Sequence, residues 1–120
     1  MPVQSYQDLE IWQKAMELAE QVYEVTKVFP AEEKFGLTGQ MRRAAVSIPA
    51  NIAEGWARRS TRAFLQFLNI ASGSLRELET YVMLAQRIAL MKPEQTRPLL
   101  DRIQILNRQI VTLQRRLRKR

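Results

Sequence analysis

Ser47, Asn51 and Glu54 are spaced i, i+4, i+7, which places three polar side chains on one face of a helix. Glu77 and Glu79 follow in a later helix-like run. Carboxylates grouped this way can bind metal ions or move protons. The competing reading is a polar network with Arg42, Arg43 or Arg76 as counter-charges. Helical di-metal sites usually pair glutamate with a histidine three residues on, and this chain has no histidine and no cysteine. Ser47, Asn51, Glu54 and Glu77 therefore read as a structural polar network, with no metal, no cofactor and no catalytic residue. The missing side chains also remove zinc sites, thiol nucleophiles and imidazole bases. No glycine-rich phosphate cradle replaces them. The chain is expected not to be an enzyme.

Arginine carries the other candidate chemistry. The 120 residues hold 19 Lys and Arg against 12 Asp and Glu, a net charge of +7. Such a surplus attracts polyanions: RNA, DNA or acidic protein. It is also unevenly placed. Residues 1–40 have seven acids and three bases, residues 41–75 one acid and five bases, and residues 92–120 two acids and nine bases. Within the stretch Gly39–Thr61, arginine pairs stand near each end, at Arg42–Arg43 and at Arg58–Arg59.

The elements that position these residues are helices. Glycines number four and prolines five, and no alternating β-branched run bounded by turn residues appears. The apolar spacing predicts helices over about 9–28, 39–57, 61–90 and 93–118 of a single domain. Asp8, Thr38 and Ser60 are the expected N-caps, Phe29-Pro30 ends the first helix, and Pro93 suits the first turn of the last. Pro98 leaves that start open to irregularity. The first and third helices each carry two apolar stripes. On the third, one runs Phe64, Leu68, Ala71, Leu75, Leu78, Val82, Ala85 and the other includes Phe67, Ile70, Tyr81, Leu84 and Ile88. The last helix repeats Leu99, Ile103, Leu106, Ile110, Leu113, Leu117 as a heptad.

The fold class is therefore all-α: an antiparallel, up-down-up-down four-helix bundle. The doubled stripes exceed what one core needs, so the bundle is expected to be oligomeric. No apolar run approaches the roughly 18 residues of a membrane span, and the N-terminal residues lack a secretory pattern. The expected location is the cytoplasm, with no membrane partner.

This topology sorts the arginines. Arg58, Arg59 and Arg62 join Arg115, Arg116, Arg118, Lys119 and Arg120 at one pole, and Arg42 and Arg43 lie toward the other. These are the expected nucleic-acid-binding residues, making phosphate contacts that carry little sequence information. Against that reading, bases at a helix C-terminus also stabilise its dipole, and charged tails are often merely solvated. Trp56, beside these bases, reads as packing.

Pro49 removes one helical hydrogen bond, to the Ala45 carbonyl, and costs about 3 kcal/mol in a helix interior. Pairing the second and third helices about the Arg58–Ser60 link puts Ala45–Pro49 beside Asn69–Gly73. Small residues would then face small residues, and the Ser47, Ser72 or Ser74 hydroxyl could satisfy the freed carbonyl.

The opening YQDLEIWQKAMEL and the segment EEKFGLTGQMRRAAVSIPANIAEGWARRSTRAFLQFLNIASGSLRELET resemble the 23S rRNA intervening-sequence protein family. The likeness spans Tyr6 to Leu90. It is most specific in the RRAA-SIP-NIAEG core, Arg42 to Gly55, while the last helix matches in pattern alone. Ala63 departs from a charged residue common in that family. The resemblance implies a homo-oligomer, a pentamer with a central pore, with no catalytic residues to carry over. The accessory variability determinant of diversity-generating retroelements, a basic pentamer that binds nucleic acid and a reverse transcriptase, is similar to this family. Two readings follow: an RNA- or DNA-binding protein of the intervening-sequence type, or an adaptor for a retroelement reverse transcriptase.

Overall fold

Local hydrogen bonding decides where each helix begins. In a computed structural model, which describes residues 3–119, the helices are α1 (Glu10–Thr26), α2 (Leu37–Ala57), α3 (Thr61–Arg87) and α4 (Pro93–Arg118). Single 3-10 turns at Tyr6–Asp8 and Ala31–Glu33 precede α1 and α2, and no strand occurs among the described residues. Asp8 does not cap α1. Its carboxylate accepts the Gln4 and Ser5 amides at 3.1 and 3.2 Å and closes a capping box around the preceding turn, so α1 opens with no side-chain cap. Thr38 is not a cap either. Glu33 accepts the Leu37 amide at 3.1 Å, which starts α2 earlier and leaves Thr38 buried inside it. Ser60 does cap α3, accepting the Ala63 amide at 3.2 Å.

The helix ends are also local events. α1 stops at Thr26, whose hydroxyl turns back onto the Val22 carbonyl at 2.7 Å. α3 stops at Arg87. Ala89 then adopts a left-handed conformation (φ 65°), and the Leu90 and Met91 amides fold back onto the Ala85 carbonyl, a helix-terminating arrangement. α4 begins on Pro93 and runs on through Pro98 without interruption.

One core joins the four helices. α2 packs most extensively on α3, each helix meets its chain neighbour, and α1 also meets α4. The backbones of the diagonal pairs α1–α3 and α2–α4 stay farther apart among the described residues. The 4–3 stripe of α3 is buried throughout its length. The α4 heptad is buried except at Leu113, which is half-buried. Ile11, Ala15, Leu18 and Val22 of α1 and Met41, Ala45, Ile48 and Ile52 of α2 complete the core. No helix among the described residues is long and apolar enough to cross a membrane.

The α2–α3 register differs from the expected one by nearly a helical turn. The Ser47 and Ser74 hydroxyls meet at 2.8 Å, whereas folding about the middle of the link would set Ser47 opposite Ala71. Arg59 (φ 56°) and Ser60 (φ −138°) leave the helical conformation and carry the chain across before α3 starts, which displaces the axis of pairing. The two glycines on these helices differ in their packing. A Cβ on Gly73 would meet nothing within 4 Å, whereas one on Gly55 would lie 2.5 Å from Phe67 Cβ and 3.2 Å from Phe64 Cδ1. The Ser47 and Ser74 hydroxyls meet each other rather than the carbonyl freed by Pro49. Among the described residues no side chain donates to Ala45.

Gly55→Ala is therefore expected to reverse the usual sign of its substitution. Alanine in a helix interior normally gains about 1 kcal/mol over glycine. Here the rigid start of the Phe67 side chain must be pushed back, and the net cost is expected to be about 1–3 kcal/mol. Denaturant unfolding checks this, and an unchanged or raised midpoint would contradict it.

Candidate nucleic-acid interface

The polar face of α2 divides when it is folded. Asn51 donates its side-chain amide to the Ser47 carbonyl at 2.7 Å and to the Ser47 hydroxyl at 3.0 Å. With the Ser47–Ser74 bond, this makes a compact, hydrogen-bonded join between α2 and α3. The carboxylates stand outside it. Glu54 pairs with Arg58 at 2.8 Å and Glu79 with Arg76 at 2.9 Å. Glu77 borders a small polar cavity of about 160 Å³ beside Arg43, Ser47 and Ser74, and it makes no hydrogen bond among the described residues. The network thus holds Ser47, Asn51 and Ser74, without Glu54 or Glu77. Glutamate side chains on an exposed helix face reach solvent and neighbouring arginines more easily than a partly buried serine pair. No group of three acidic residues that could hold a metal ion occurs among the described residues.

The basic residues fall into three kinds. Arg42 is half-buried and structurally engaged: its Nε donates to the Thr26 hydroxyl at 2.9 Å, and its guanidinium lies 4.5 Å over the Tyr23 ring. It ties α2 to the end of α1. Arg43, next to it, is exposed. Arg58 and Arg59 are exposed but oriented. Arg58 combines its Glu54 pair with a position 5.3 Å over Phe67, and Arg59 sits 5.4 Å over Trp56. Arg62, Arg115, Arg116, Arg118 and Lys119 are exposed and form no ion pair among the described residues. Arg120 lies outside those residues.

The wall formed by Leu9 and Leu113 brings the ends of several helices together. Arg59 lines a pocket on one side of it, with Trp56 and Leu117. Arg116 and Arg108 line a groove on the other. Just inside this pole, buried Gln114 donates to Asn69 Oδ1 at 2.8 Å and locks α4 to α3. Arg108 and Arg116 are exposed and form no ion pair among the described residues, so each can meet an anion without giving one up. Their field reaches about 8–10 Å before salt screens it.

Sequence reasoning missed three of these contacts. The Trp56–Arg59 pair forms past the end of α2, where Arg59 takes a left-handed conformation, so helical spacing does not signal it. Gln114, next to the heptad residue Leu113, gives no sign that it is buried. The Arg42–Thr26 bond depends on how α1 and α2 are set against each other, and it leaves no trace in either helix alone.

Comparison with known proteins follows the same lines. The family model described as 23S rRNA-intervening sequence protein matches residues 7–112. A solved structure of a protein of unknown function from the S23 ribosomal protein family of Bacteroides thetaiotaomicron is similar, with a TM-score of 0.80 and 25% identity. The match covers 87% of this chain and 97% of that one. No curated protein matches the sequence.

Proposed function

The chain belongs to the 23S rRNA-intervening sequence protein family, and on that premise we propose that it is a non-enzymatic, oligomeric, cytoplasmic helical bundle that binds nucleic acid, RNA foremost, through the arginines of one pole. One observation carries this reading: Arg62 at the start of α3 and Arg115, Arg116 and Arg118 in the last turn of α4 are all exposed and have no ion-pair partner among the described residues. Arginines held apart in this way suit a phosphate backbone. Contacts of this kind set orientation and strength, with little dependence on sequence.

An up-down-up-down course is part of the proposal. It is supported by contacts whose residue numbers rise along one helix as they fall along the next: Ser47 with Ser74 and Gly55 with Phe67, then Asn69 with Gln114 and Gln86 with Thr96. Homo-oligomerisation is supported by the apolar side chains left outside the core, and the pentamer is what the family resemblance implies. Ile70 and Leu84 on α3, and Ile88 just past its end, are each 43–50% exposed. Filter binding with structured RNA and with duplex DNA tests the nucleic-acid reading. Retention is expected at about 50 mM salt and should fall by orders of magnitude by about 200 mM. No retention at the lower salt would overturn it.

A further inference from the structure

The pocket beside Arg59 has a different character from the open cationic surface around it. Its volume is about 440 Å³, within the range of about 300–1,000 Å³ usual for sites that hold small organic groups. Leu9, Phe64, Leu113 and Leu117 give it apolar walls, the half-buried indole of Trp56 forms an aromatic one, and Arg59 stands at the rim. The Arg59 guanidinium lies 5.4 Å from the indole centre, the separation at which a planar cation covers a ring. A planar base can take that place while the exposed guanidinium turns to the adjoining phosphate.

We propose that this pocket takes an unpaired nucleobase of a single strand, stacked on Trp56, with the neighbouring phosphate on Arg59. The inference rests on the nucleic-acid reading above and narrows it to strands that can present a free base. A base inside a duplex is already stacked and paired, and reaches such a pocket only after it has been extruded. An apolar ligand would fill the walls but would leave the cationic rim unused. The charge around the mouth therefore favours a base carried on phosphates. Arg59 holds φ 56°, a conformation ordinarily left to glycine just past a helix end. Ala89 does the same after α3, so the conformation is not itself the sign of a site, but it supplies a useful variant.

The test compares three probes by fluorescence anisotropy at one low salt concentration: a short single strand, the same strand with abasic residues, and its duplex. Wild-type protein is expected to bind the intact strand about tenfold or more tighter than the abasic strand, the effect of one stacked base. Trp56→Ala is expected to bind both single strands alike and to leave duplex affinity unchanged. Arg59→Gly, which relieves the left-handed backbone, is expected to melt no lower than wild type and still lose affinity for the intact strand. The abasic comparison uses unaltered protein, so it stands even where Trp56→Ala fails to fold. Equal wild-type affinity for intact and abasic strands would overturn the proposal. So would a Trp56→Ala loss that is the same on duplex. If all three probes bind alike, the pole reading stands and the pocket alone is wrong. If none binds, both fall. Running the series with RNA and with DNA of one sequence assigns the strand that supplies the base.

Discussion

Alanine at Arg62, Arg115, Arg116 and Arg118 together is expected to lower affinity for structured RNA by about two to three orders of magnitude at about 0.1 M salt. The four guanidiniums are exposed and unpaired among the described residues, so each is available to displace condensed counterions from a phosphate. Their removal costs the fold little. Three lie in the last turn of α4, where a cation helps the helix end by about 0.3–1 kcal/mol, and circular dichroism should show the helices intact. Arg42→Ala provides the contrast. That guanidinium is engaged by Thr26 and Tyr23, so its loss is expected to lower stability and to change RNA affinity little. Filter binding of the two variants beside wild type separates a binding pole from a basic surface that merely keeps the chain soluble.

The second large effect distinguishes the two stripes of α3. Leu75 is fully buried and Leu84 is 43% exposed on the same helix. Leu75→Ala is expected to cost about 3 kcal/mol, the transfer loss plus the cavity left among rigid neighbours. That is a large share of the roughly 5–15 kcal/mol that holds a domain together. Leu84→Ala is expected to cost less than about 1 kcal/mol in unfolding and to act instead on association, shifting the light-scattering mass toward the monomer. Equal unfolding losses at the two positions would contradict the division. A monomeric wild-type protein at micromolar concentration would remove the proposed interface.

The two stripes also show where sequence reading reaches its limit. Both have helical spacing, and periodicity alone gives no reason to prefer one. A helix in a four-membered core can turn one seam inward, and the better-filled 4–3 series from Phe64 to Ala85 took that place. Signals confined to a few residues were legible. Ser60 caps α3 because nothing else competes for its hydroxyl. Asp8 was misread because Ser5, three residues earlier, forms a complete capping box with it. Contacts between helices were harder to read. The α2–α3 register turns on the backbone of Arg59 and Ser60, and Gly55, rather than Gly73, is the glycine packed tightly on the facing helix. The place of Arg62 at the start of the third helix and of Arg115, Arg116 and Arg118 at the end of the fourth followed from the helix pattern. Which arginines are engaged did not, because Arg42 and Arg58 each depend on an aromatic ring brought near by folding.

The most direct measurement is the slope of log affinity against log salt for structured RNA, with wild type and the Arg62, Arg115, Arg116, Arg118 variant side by side. The variant's slope is expected to be shallower by about three, from about 0.7–0.9 for each of the four arginines removed. Parallel lines of equal affinity would show that this pole does not meet the phosphates.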